Sequence, residues 1–421
     1  MRKLWSFVLI AALLVIGIPT HHSEVAAAPE ETTLTVWGFV WTADWLESIA
    51  PGFEETHPGV TVNVERFEYE AYRDAIVTTL SSGSGVPDVV TLDPMWAGDL
   101  IRDGALSPLE NIEDSLNPDD FVAGGWDLCR SQDVTYGVPA DLDFNVIFYR
   151  TDVYGPAIEE AGLDGFPTTT EDFIRVAQMI SDDDTYALLL APSDYYAWYQ
   201  GFLVPYGGRL VSDDGENYAF NSSEGVDSLN LYSDLVNEYG VAMLWDDLVD
   251  GDPMVALKNG DALAIMHGSW YATELEAAAP EMAGQWGVAP MPFGPADRTV
   301  HAATGGSCFS VPVAAENQDL ANEFLAYLEQ PEVMATYYDV VGGVPSLRTA
   351  WDYINLDGVN EYLGVPLARL VADWSANVAG MELPSAEVAD LLGETIYMVT
   401  VDGVDAQEAL DGAAEASPPL K

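Results

Sequence analysis

Asp141 and Asp143 sit in a run, Tyr136 to Asp152, that joins a turn, an acidic pair and a long apolar stretch. Tyr136-Gly137-Val138-Pro139 reads as a strand closed by proline, and Asn145 to Tyr149 is β-branched and aromatic enough for a buried strand. If the segment between them is extended, Asp141 and Asp143 project to the same side. Two such carboxyls suit two kinds of chemistry. One is glycoside hydrolysis, which in retaining enzymes uses carboxyls about 5 to 5.5 Å apart, normally from separate elements, one with a pKa raised by burial. The other is hydrogen bonding to a ligand held where the strand passes from one lobe to another. Two acids on one strand are a common arrangement, and they favour the second reading over catalysis.

Other reactive side chains are sparse. Cys129 and Cys308 are the two cysteines of the chain, and two readings stand for them. They form a disulfide, or they are separate small buried thiols. With no histidine cluster nearby they make neither a zinc site nor a nucleophile. His267 and His301 read as satisfied polar residues, because nothing near them has metal-ligand spacing. No cofactor and no metal is expected.

Composition narrows the partners. Lys and Arg number 14 against 69 Asp and Glu, a formal net charge of -55 over 421 residues. Nucleic acid is excluded as a partner, since phosphate binding needs a basic patch. The charge reads as a solvated acidic surface suited to a salty exterior, where screening acts over about 3 Å at 1 M salt; the alternative is selection for a cationic ligand such as a polyamine. Met1 to Ala27 reads as a signal peptide: Arg2 and Lys3 begin it, Leu4 to Ile18 is apolar but short of the roughly 20 residues that span a bilayer, and Val25-Ala26-Ala27 offers a cleavage site. No cysteine near that site supports a lipid anchor. An exported protein, periplasmic or extracellular, is expected.

These residues need a scaffold, and the chain that follows the leader supplies one. Thr33 to Val36 reads as a strand, Ala43 to Glu55 as a helix, Val60 to Val64 as a strand, Tyr69 to Leu80 as a helix and Pro87 to Leu92 as a buried strand. The order β-α-β-α-β implies an α/β fold with a mostly parallel sheet, whose crevice lies beyond the strands' carboxyl ends. Trp37, Phe39, Asp93 and Trp96 fall in that zone, with Trp41 close behind.

The segments TLTVWG, HPGVTVNVE, GVPDVVTLD, GALSPL and YGVPADLDFNVIFYRTDVY, in this order, resemble the extracellular solute-binding proteins of ABC importers, in the carbohydrate-binding group that includes maltose-binding protein. GFPTTTEDFIRVAQMI, ALKNGDALAIMHGSW, WGVAPMPFGP, GGSCFSVPVAAENQDLANEFLAYL and VGGVPSLR continue the resemblance, which covers about residues 32 to 412. It implies two α/β lobes, each a mostly parallel sheet flanked by helices, joined by a three-strand hinge in the periplasmic-binding-protein manner. The first lobe would comprise residues 32–138 and 306–342, the second 144–303 and 346–421, with the hinge near 139–143, 304–306 and 343–346. The tail from Pro384 to Ala414 reads as helices on the second lobe.

The same resemblance implies a monomeric protein that closes over a small ligand, a carbohydrate, and delivers it to a membrane permease without catalysis. Sugars present apolar C–H faces and a rim of hydroxyls, so their sites combine aromatic platforms with carboxylates, amides and Arg. The expected contacts are Trp37, Phe39, Trp41, Asp93, Trp96, Asp141, Asp143, Asp194, Tyr195, Tyr196, Trp198, Trp270, Gly305, Gly306 and Arg348, with Gly268 and Ser269 beside Trp270. Trp45 and Trp198 have an equally ordinary reading as core, and Arg348 as the partner of an acid across the hinge. Two other ligands fit the same fold. Tyr195 and Tyr196 resemble the tyrosine pair of ferric-ion binders, without a clear accompanying His and Glu, and a polyamine would answer the acidic charge.

Overall fold

The computed structural model describes residues 31–109, 112, 116–131, 134–141, 143–212, 214–245, 252–294, 301–379, 382 and 384–420. The leader expected at residues 1–27 lies outside them. In chain order the strands are β1 (Thr32–Phe39), β2 (Val60–Phe67), β3 (Val89–Leu92), β4 (Arg130–Ser131), β5 (Val134–Thr135), β6 (Gly137–Pro139), β7 (Asp143–Arg150), β8 (Leu188–Leu190), β9 (Ala242–Leu244), β10 (Ala264–Gly268), β11 (Trp286–Pro290), β12 (His301–Gly305), β13 (Cys308–Ser310) and β14 (Val378–Ala379).

Two main sheets result. The first has the order β2-β1-β3-β13-β6, and the second β14-β12-β7-β10-β8-β9 with β11 also on β7. In the first, β13 runs against its neighbours β3 and β6, while β1 is parallel to β2 and β3. In the second, β7 alone runs against β10, β11 and β12, and β8, β9 and β10 are mutually parallel. The opposed strands are the ones the chain enters from the other sheet: β7 follows β6, and β13 follows β12. This is a two-lobed α/β fold of the periplasmic-binding type.

Strand alternation decides what each face of β1 does. Leu34 and Val36 point to one side, where they pack with Trp45, Phe53, Phe324 and Tyr337. Trp37 and Phe39 point to the other, against Tyr72, Leu92 and Trp96. Because β1 continues to Phe39, paired residue by residue with β2 as far as Phe67, Trp37 and Phe39 are strand residues and not part of a loop after it. β7 is flanked on both edges and buried through most of its length, which accounts for its nearly unbroken apolar run. The helix Thr170–Ile180 is capped as its sequence suggests, with Thr169 Oγ1 accepting from the Asp172 N–H at 3.2 Å and Glu171 and Asp172 in the first turn. The tail forms the helices Ala386–Thr400 and Ala406–Ala416.

Three segments lie side by side where the sheets meet. The Ala140 N–H donates to the Ser307 carbonyl at 2.7 Å, the Ser346 N–H donates to the Ala140 carbonyl at 3.0 Å, and Gly305 pairs with Asp143. Asp141 bridges Pro345 in antiparallel fashion. One boundary differs from expectation. Leu347 and Ala350 belong to the core under the first sheet, and Phe121 bridges Leu347. The chain therefore stays with the first sheet through the turn Arg348–Tyr353 and reaches the second body near Tyr362, whose hydroxyl donates to the Ala279 carbonyl at 2.9 Å. Cys308 is disulfide-bonded; the one other cysteine in the sequence is Cys129, whose side chain lies outside the described residues.

Candidate functional site

A cleft of about 450 Å³ opens between the two sheets, above the three side-by-side segments. Its first wall comes from the carboxyl end of β1 and the turns beyond β2 and β3: Phe39, Trp41, Tyr69 and Asp93. Trp41 stacks on Tyr69 with ring centroids 5.4 Å apart and 25° between planes, and it remains 41% exposed. Tyr69 is oriented by its hydroxyl, which donates to Asp93 Oδ2 at 2.8 Å. Trp96 backs this wall from behind, 4.9 Å from Tyr69 and 6.4 Å from Phe39.

The opposite wall is built by β10 and its exit. His267, Gly268, Trp270, Thr273 and Glu274 line it, with Tyr196 and Gln200 from the neighbouring helical segment. Trp270 is 42% exposed, an unusual placement for an indole that no core claims. It can lie across β10 because residue 268 is glycine: a Cβ there would stand 2.6 Å from Trp270 Nε1. His267 stacks on Tyr271 at 4.2 Å and 9°, its Nδ1 accepts from the Gly268 N–H at 3.0 Å, and burial lowers its pKa to about 4. It is therefore neutral near pH 7.

The floor is the crossing itself. Asp141 Oδ1 accepts from the Ser307 N–H at 2.8 Å, and Asp143 Oδ1 accepts from Ser269 Oγ at 2.8 Å. Both carboxyls are buried, with Gly305, Gly306 and Gly343 around them. Burial raises the pKa of Asp141 well above the usual carboxylate range, and the Asp143 charge adds to it. Burial likewise pushes Asp143 to about 6, helped by the Asp93 charge and opposed by the Ser269 hydrogen bond. Deeper still, Asn145 Nδ2 donates to Gln200 Oε1 at 3.3 Å, a buried amide pair. Among the described residues no group of three His, Cys, Asp or Glu is placed to hold a metal.

The cleft thus gathers Phe39, Trp41, Asp93, Asp141, Asp143, Tyr196, Trp270, Gly305 and Gly306 from the expected set. The remaining expected residues lie elsewhere. Trp37 faces Phe67 at 4.7 Å inside the core, and Trp96 supports the wall without forming it. Trp198 is fully buried, with Nε1 donating to Ser228 Oγ at 3.0 Å. Asp194 caps the turn Tyr195–Trp198 by accepting from the Tyr196 N–H at 2.8 Å, and Tyr195 is buried behind Tyr196. Arg348 donates to the Asp119 carbonyl, so it clasps backbone in the first lobe instead of a ligand or an acid across the hinge. Tyr69, Asn145, Gln200, Thr273, Glu274, Ser307 and Gly343 were not singled out from sequence. For Asn145 a signal existed, a polar residue in an otherwise apolar central strand.

A model of the bacterial extracellular solute-binding protein family matches residues 41–335. The chain belongs to that family. This solute-binding protein is 22% identical over 334 residues to the arabinooligosaccharide-binding protein of Halalkalibacterium halodurans, covering 76% of this chain and 73% of that one. It is 23% identical over 377 residues to the lactose-binding protein of Rhizobium radiobacter, covering 84% of each. Its fold is that of the sugar-binding protein MalE from Xanthomonas citri, with a TM-score of 0.77, 23% identity, and 91% and 96% of the two chains covered. Among the described residues no helix is long and apolar enough to cross a membrane.

Proposed function

We propose that this solute-binding protein is exported by residues 1–27, captures an oligosaccharide between its lobes outside the membrane and delivers it to the permease of an ABC importer, acting as a monomer and without catalysis. The observation that carries this reading is the cleft: exposed indoles from opposite walls, Trp41 and Trp270, stand over a floor of carboxyls and amides. Apolar sugar faces stack on such rings, and sugar hydroxyls donate to such carboxyls. Relatives named for arabinooligosaccharide and lactose binding support carbohydrate over a polyamine or ferric ion. The three crossings are the hinge of this reading, near residues 139–143, 304–306 and 343–346. Ligand favours the closed form by touching both walls at once, which is a population shift driven by contacts the open form lacks.

Tryptophan fluorescence and titration calorimetry over a panel of linear oligosaccharides test the proposal. A saturable signal is expected with at least one glycan series, and Trp270→Ala should weaken that binding by about tenfold or more, since a stacked aromatic contributes about 0.5–1.5 kcal/mol beyond its buried area. No reducing ends should be released on prolonged incubation, as Asp141 and Asp143 stand on one chain segment, each already accepting a hydrogen bond. A response to polyamines with none to any sugar would refute the carbohydrate assignment.

A further inference from the structure

The two lobes also meet beside the cleft, through one side chain and one helix end. The helix Pro94–Arg102 leaves β3 in the first lobe directly after the cleft residue Asp93. The helix Ala386–Thr400 belongs to the second lobe, where its Val388, Leu392, Ile396 and Val399 are buried and it packs on the helix Ser223–Asn237. Asp99, on the first of these helices, divides its carboxylate between the lobes. Its Oδ1 pairs with Arg102 one turn on, and its Oδ2 accepts from the Ala386 N–H across the gap at 3.4 Å.

Helix geometry makes this contact available. The first N–H groups of a helix have no partner inside it, and the aligned peptide dipoles favour a negative charge there. Ser385 satisfies one of them, its Oγ accepting from the Val388 N–H at 3.3 Å, and the Ala386 N–H is left for Asp99. Charges nearby also face each other across the lobes. Burial raises the pKa of the Tyr218 hydroxyl in the second lobe, the Arg102 charge lowers it and the Glu387 charge raises it, so Arg102 and Glu387 approach one phenol from opposite lobes. Burial likewise raises Tyr196, and the first-lobe charges of Asp93 and Asp99 add to the effect. Tyr196 lines the cleft, whereas Asp99 lies outside its lining.

We infer that Asp99 is a positioning residue for ligand capture: it clasps the second lobe by the amino end of the helix Ala386–Thr400 and so sets how tightly a ligand is held, without touching it. The inference rests on the reading of sugar capture between lobes and adds a determinant of affinity beyond the ligand's reach. A contact made across the lobes favours the closed form whatever fills the cleft. Losing it lowers the closed fraction, and apparent affinity falls by the same factor for every ligand.

Calorimetric titration of the intact protein with lactose, maltotriose and arabinotriose tests this in a double-mutant cycle. Asp99→Ala removes the acceptor. Ala386→Pro removes the N–H at the first helical position, where proline is tolerated, and Ser385 before it already has the extended backbone that proline requires, with φ of -71° and ψ of 155°. Each variant should weaken every sugar that binds by one common factor, about three- to tenfold, and the double variant should lose no more than either single one. Asp99→Asn keeps an oxygen for the amide and should lose less than Asp99→Ala. Additive losses, losses that differ from sugar to sugar, no rescue by asparagine, or unchanged affinity in both single variants overturns the clasp and leaves the carbohydrate reading intact. If no sugar binds, the carbohydrate reading fails, and the same cycle read in the melting temperature decides the clasp: coupled shifts support it and additive shifts overturn it.

Discussion

Burial raises the pKa of the Asp143 carboxyl, and this ties stability to pH. Its folded pKa, about 6, lies above the ordinary carboxylate value of about 3.9. A group raised in this way stabilises the fold fully below its unfolded pKa and loses that contribution as pH rises through the folded one. Between about pH 4 and pH 6 the ligand-free protein should therefore lose on the order of 2 to 3 kcal/mol from this group alone. Asp143→Asn keeps an oxygen to accept from Ser269 and removes the titration. Thermal melts of the two proteins should converge near pH 4 and separate above pH 6, with the variant the more stable; parallel curves would mean that Asp143 titrates normally. The same variant should weaken sugar binding near pH 7 by roughly tenfold, because a charged acceptor is about twice as strong as a neutral one.

At the scale of elements, the crossing depends on one glycine more than its neighbour. Gly306 has φ of 126°, and a Cβ there would stand 2.4 Å from the Asp141 carbonyl. Gly305 has ordinary φ and open space where its Cβ would go. Gly306→Ala should thus cost about 1 to 3 kcal/mol from backbone conformation, with the overlap against Asp141 adding to it, while Gly305→Ala should melt close to wild type. Differential scanning calorimetry of the pair decides whether close approach at residue 306 governs the crossing. The glycines, the proline and the apolar run made this crossing legible in the sequence, as did the alternation of strand and helix before it. Other features were not. Trp198 and Trp270 share a residue type, and only packing sends one to the core and the other to the cleft. β1 reads as ending at Val36, yet its pairing with β2 carries it to Phe39. The third boundary was misplaced because Leu347 and Ala350 are apolar in a way that suits either lobe, and only the tertiary bridge to Phe121 assigns them.

Charge acts on the molecule as a whole. Several arginines form ion pairs, Arg66 with Asp44 and Glu47, Arg175 with Asp172, Arg209 with Glu382 and Arg369 with Asp357. Such exposed pairs are each worth about 0 to 1 kcal/mol and leave most of the 69 acidic residues unneutralised. At 0.01 M salt, where the Debye length is about 30 Å, these charges repel one another across the whole body; at 1 M, where it is about 3 Å, only near neighbours do. Unfolding separates the charges, so repulsion at low salt favours the unfolded chain. The melting temperature should rise by several degrees between these conditions, and a flat dependence would show that the acidic surface imposes no stability cost. Binding offers a sharper contrast. Screening acts on charge–charge attraction and hardly on stacking or on hydrogen bonds to neutral hydroxyls. A neutral oligosaccharide should keep its affinity within about threefold across the range in which the fold is stable, whereas a polyamine would lose affinity steeply as salt rises. Calorimetric titrations at 0.1 M and 1 M salt therefore separate the two ligand classes by whether the protein's charge contributes to binding, independently of which sugar is used.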